Sequence, residues 1–174
     1  MGIRYYAYAF DNDQTEEALA DPLTVIGSDP LADALGLEPG FTQGVTDFRQ
    51  SLTGRDLLYL DKAWPYLQRL TAPPSSGAGA RAAYRIFEGR VTYTDDSFTW
   101  RPWVRALPPR EVALIALDLE SISDHDMEAG MDGVCSSCEA LGSELAYATQ
   151  LLHRARDFVH AVASEGRGFA YVIG

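Results

Sequence analysis

The sequence predicts an α+β fold: a small mixed or antiparallel sheet that includes the N- and C-terminal strands and packs against about three main helices. Three observations carry this expectation. Residues 3–10 alternate with the two-residue rhythm of a strand, and residues 169–173 form a second apolar, strand-like run. Between them, three segments space their apolar residues at the three- and four-residue steps of a helix. The 174 residues, 47% hydrophobic and 22% charged, are ordinary for a globular chain and sufficient for one core, so residues 1–174 are expected to form a single domain.

In residues 3–10, Ile3, Tyr5, Ala7 and Ala9 fall on one side and Arg4, Tyr6, Tyr8 and Phe10 on the other, which points to a strand covered on both faces. Asp11, Asn12 and Asp13 then supply turn and capping chemistry for a short helix through Glu16 and Leu19, which Pro22 stops. Residues 22–54 are interrupted by proline and glycine, so only short helical turns are expected there, for example over 30–35. Over 57–70, Leu60, Ala63, Trp64, Leu67 and Leu70 recur at helical spacing, with Asp61 as the expected cap and Pro65 in the first turn.

The stretch APPSSGAGA over 72–80 has nothing to bury and reads as a flexible surface loop. Two strand-like runs, 84–87 and 91–94, follow around a Glu88-Gly89-Arg90 turn, and then an aromatic segment with Phe98, Trp100 and Trp103. Pro108 and Pro109 open a helix whose Val112, Ile115, Leu119 and Ile122 keep helical spacing. Leu114 and Leu117 add a second apolar face, which predicts deep burial. The last helix is marked by Leu141, Leu145, Ala148, Leu152, Ala155, Val159 and Val162, with Gly166 ending it before the closing strand.

A net charge of −11, from 25 acidic and 14 basic residues, opposes binding to nucleic acid and to anionic membranes; it would speed association with a basic protein, although the commoner meaning of an acidic surface is solubility. No apolar run reaches the ~20 residues of a membrane helix, two cysteines do not make a secreted disulfide framework, and no leader pattern opens the chain, so a cytoplasmic location is expected.

Candidate chemistry is sparse. Cys135 and Cys138 form a CxxC pair before the last helix, where helix N-terminal amides stabilise thiolates, but the strand that precedes a thioredoxin-type motif is missing. His125 with Cys135 and Cys138 is a candidate zinc set, although the spacing fails the zinc deaminase pattern. Gly77, Gly79 and Ala82 match a dinucleotide-turn pattern without its strand and helix. Asp61, Lys62 and Trp64 place a carboxylate, an amine and an indole close together, a candidate corner for a polar ligand. The bland reading of the same residues is a cap, a solvated lysine and a core tryptophan.

The opening MGIRYY, the DKAWPYLQRLT stretch from Asp61 to Thr71, the LPPREV helix start from Leu107 to Val112, and the terminal helix leading to YVIG together resemble the YfbM-like family of small bacterial proteins. The resemblance implies a compact α+β fold. That family's biochemical activity is uncharacterised, so the resemblance implies no catalytic residues and no cofactor. The sequence as a whole points to a non-catalytic binding module for a protein partner or a small ligand, a basic partner being one option, recognised as antitoxin-like or immunity-like proteins do. The alternative is a thiol-redox or zinc-dependent enzyme built on Cys135 and Cys138.

Overall fold

The computed structural model describes residues 2–36, 53–73, 79–95, 99–131 and 138–174. Its centre is a four-stranded antiparallel sheet. Strand β1 (Tyr5–Phe10) lies between β2 (Leu57–Asp61) and β6 (Gly168–Ile173), and β5 (Trp103–Leu107) borders β6 on the far side. The first and last strands pair along their whole length, from Tyr5 opposite Ile173 to Phe10 opposite Gly168. A two-stranded ribbon of β3 (Thr92–Tyr93) and β4 (Trp100–Arg101) stands apart from this sheet.

The period of two in β1 sends its side chains into two different layers. Tyr5 and Ala7 face a core built with α3 (Trp64–Thr71), α4 (Tyr84–Phe87), α5 (Pro109–Glu120), α6 (Asp124–Met131) and α7 (Cys138–Ser164). Leu60, Leu67, Phe87, Ile115, Phe158 and Phe169 are among its fully buried members. Tyr6, Tyr8 and Phe10 face the opposite way, under a thin layer made by α1 (Thr15–Ala20), α2 (Pro30–Leu35) and the turns beside them. The strand is therefore covered on both faces, as its aromatic alternation predicts.

Helix α7 ends as Gly166 implies. At φ 66° this glycine takes the left-handed conformation, and the amides of Gly166 and Arg167 bond back to the carbonyls of Ala163 and Val162. Arg167 then reaches Asp11 and Asp56 at 2.9 and 2.8 Å, tying the entry of β6 to the end of β1 and the start of β2.

Three sequence expectations change. Residues 57–70 are not one helix: β2 occupies the first five, Asp61 turns the chain at φ 43°, and α3 begins at Trp64, so Asp61 caps no helix. Leucines at 58, 60 and 67 are buried in either conformation, and pairing with β1 decides for strand. Residues 84–87 form a helical turn rather than a strand, because Asp118 on α5 accepts the Ala83 amide at 2.7 Å and clasps Arg81 with two oxygens, fixing the turn's entry. The aromatic segment supplies the edge strand β5. Helix α5 is buried on one side only: Val112, Ile115 and Leu119 face inward, while Leu114 and Leu117 are 61% and 68% exposed. The loop expected at 72–80 lies partly outside the described residues, as does the glycine pattern at Gly77.

Candidate functional site

Asp61 sits at the end of β2 in a conformation that L-residues other than asparagine and aspartate rarely adopt. Its carboxylate is held from three directions. Arg4, just before β1, donates from Nε at 3.0 Å, the Tyr59 phenol donates at 2.9 Å, and the Tyr147 phenol reaches over from α7 at 2.9 Å. Tyr59 is in turn stacked on Tyr6, with ring centroids 5.2 Å apart. Partial burial acts to raise the Asp61 pKa, but the two phenols, the Arg4 hydrogen bond and the Arg4 charge outweigh it and hold the carboxyl below its usual range. The phenols move the other way. Burial and the neighbouring carboxylate push Tyr147 up to about 12 and also raise Tyr59, so both are protonated donors at neutral pH.

This arrangement is an ionised carboxylate with two donors on Oδ1 and one on Oδ2, which leaves acceptor capacity on the second oxygen. It is suited to fixing the β1–β2–α7 corner and to presenting a rigid aromatic rim. Lys62 is exposed and lays its aliphatic stem against Gly2, where an added Cβ would meet Lys62 Cε at 2.5 Å. Trp64 points inward as a buried member of the main core. The three residues singled out from sequence are thus distributed between a hydrogen-bonded hub, the surface and the core. The partners of Asp61 had no sequence signal: no spacing rule connects residues 4 and 147 to residue 61.

His125 is exposed on α6, 3.7 Å from Glu128. His153 meets Asp124 at 2.9 Å and His160 meets Glu120 at 3.3 Å, all on exposed side chains. Cys135 lies outside the described residues, and Cys138 is placed only as the first residue of α7. Among the described residues, no group of three or more histidine, cysteine or acidic side chains is arranged to hold a metal ion.

Charge is distributed unevenly along the chain. Residues 5–48 contain nine of the 25 acidic residues and none of the basic ones, so most of the net charge of −11 originates there. The described part of this stretch is the thin layer over one face of the sheet. Helix α1 buries Ala18 against the sheet and turns Glu16 and Glu17 to solvent, Asp13 is exposed in the 3-10 turn before it, and Asp21 is exposed in the turn after it. Leu19 and Leu23, 48% and 57% exposed, stand among these carboxylates. Within this group Asp11 pairs with Arg167 at 2.9 Å.

These features define a small α+β protein with a four-stranded antiparallel sheet, a main helical layer and an acidic outer layer. No family model and no curated protein matches the chain. Its fold is similar to that of YfbM from Escherichia coli, whose crystal structure is described as that of a protein of unknown function. The TM-score is 0.58 at 17% sequence identity, with 99% of this chain and 100% of that one covered. The YfbM-like fold implied by the sequence segments is therefore the fold the chain has. No helix among the described residues is long and apolar enough to cross a membrane.

Proposed function

We propose that the protein is a non-catalytic binding module whose partner is a basic protein, engaged through the outer surface of α1 and the turns that flank it. The observation that supports this reading is the concentration of acidic side chains in the layer over the sheet, with Leu19 and Leu23 exposed among them. Clustered carboxylates attract a basic partner over a distance and speed its encounter. Exposed leucines within that field supply apolar area that can be buried once contact is made. The rigid corner at Asp61 and the exposed Lys62 remain the proposed position for a small polar ligand.

The test is a retention experiment with the purified protein immobilised at low ionic strength and offered the soluble proteins of its own host. A basic protein retained in stoichiometric amount and released by salt supports the proposal. Retention that is unaffected when Glu16→Lys and Glu17→Lys are introduced together contradicts it.

A further inference from the structure

A cleft lies between α3, α4 and the edge strand β5, with a volume of about 540 Å³. This is within the size range of small-molecule sites. Its ionisable lining inverts the character of the chain. Arg69 and Arg90 both face it, and no carboxylate lines it, in a protein with 25 acidic residues.

Most of the arginines are consumed by ion pairs: Arg4 with Asp61, Arg55 with Glu165, Arg81 with Asp118, Arg85 with Glu111, Arg105 with Glu88, Arg156 with Asp124 and Arg167 with Asp11. Arg69 and Arg90 are exposed and, among the described residues, have no carboxylate within ion-pair distance. The one acidic residue in the adjoining turn, Glu88, is drawn away by Arg105 on β5.

The same cleft also presents flat surfaces. Trp103 is 38% exposed and lines the cleft together with Tyr84. The indole is held in place: it hydrogen-bonds the buried Tyr171 phenol and presses on Gly89, where a Cβ would lie 2.3 Å from the ring. Gly89 has φ 126°, so no side chain is tolerated there on either ground. The floor is equally fixed. Gln68 donates to the carbonyls of Phe87 and Gly89 at 2.6 and 3.0 Å, and the Tyr171 phenol lies within hydrogen-bond reach of the Arg85 and Glu88 carbonyls. A site whose walls are fixed before binding loses little conformational entropy when it is filled.

We infer that this cleft, with Arg69 and Arg90 around Trp103 and Tyr84, binds a small aromatic anion: a flat ring carrying a carboxylate or phosphate. The guanidinium groups bind the anionic oxygens, and the ring lies against the indole and phenol. This site is separate from the acidic face and does not depend on the proposal made for it.

The test uses amide chemical-shift titration of the whole protein with benzoate, phenyl phosphate, inorganic phosphate and benzylamine. Saturable shifts at residues 68–69, 84, 89–90 and 103 with the two aromatic anions are expected, with a larger response to whichever anionic group the site prefers. The Arg69→Gln/Arg90→Gln variant, altered at two exposed positions, should weaken both by tenfold or more while its other amides overlay those of the parent. Absence of shifts at these residues, equal shifts with benzylamine, inorganic phosphate matching phenyl phosphate, or unchanged affinity in the double variant would each overturn the inference.

Discussion

Replacing Asp61 separates the two features that make its position unusual, its three donors and its left-handed backbone. Alanine removes all three contacts and leaves a Cβ at φ 43°, whereas glycine removes the same contacts and relieves the strain. Hydrogen bonds to a charged group contribute about 1.5–3 kcal/mol each when buried, but this carboxylate is half-exposed and water replaces part of what is lost. A total of roughly 2–3 kcal/mol for Asp61→Ala follows, with glycine about 1 kcal/mol less damaging. For a domain of this size each kcal/mol shifts the melting temperature by about 2–4 °C, so the alanine variant should melt roughly 4–10 °C below the parent.

The pH dependence follows from the lowered folded-state pKa of Asp61. The unfolded chain takes up the proton first, so the stability contributed by the ionised group is fully present above the ordinary carboxylate pKa of about 4. It is lost as pH falls through the lower folded value. The gap between parent and Asp61→Ala should therefore be widest near neutral pH and close on acidification, as followed by thermal melts from pH 7 downward. Equal stabilities for the alanine and glycine variants would refute the strain argument. A gap that stays constant on acidification would refute the electrostatic one.

Other substitutions test the remaining architecture. Tyr147→Phe should cost about 0.5–1 kcal/mol, less than loss of Asp61, because its contact is exposed; a denaturant melt measures it. Gly89→Ala should destabilise the fold by about 2 kcal/mol or more and weaken the near-ultraviolet circular dichroism of the tryptophans, since the new methyl group must displace the Trp103 ring. Leu117→Asp should change stability by less than about 0.5 kcal/mol, whereas Ile115→Asp, two residues away on the buried side of α5, should prevent folding; equal effects would mean that the helix is rotated. Asp118→Ala should cost about 2–3 kcal/mol by releasing Arg81 and the Ala83 amide together, read from urea melts.

Periodic signals were legible in the sequence. The alternation in residues 3–10, the long seam of α7 and the stop at Gly166 all correspond to elements in the structure, because each depends only on neighbours along the chain. Segments whose conformation is set by distant residues were not legible. Residues 57–61 are strand because β1 offers them an edge, and residues 84–87 are helical because a carboxylate on α5 holds their entry. Leu114 and Leu117 misled because apolar spacing reports what a helix could bury and not whether a neighbour arrives to cover it. The same limit applies to the sites. Asp61 was visible as a residue, but its donors come from both ends of the chain, and the Arg69–Arg90–Trp103 cleft is assembled from three segments with no shared motif.

The acidic layer around α1 is the surface proposed to engage a basic partner. The most direct measurement compares the parent with a Glu16→Lys/Glu17→Lys/Leu19→Ser/Leu23→Ser variant by affinity capture from the native host at low salt, followed by mass spectrometry of the intact complexes. All four side chains are at the surface or only partly buried, so the variant should keep the parent's fold. A stoichiometric basic protein should be found on the parent, released as ionic strength rises and missing from the variant. Equal capture by both proteins, or a parent that retains no partner at low salt, would contradict it.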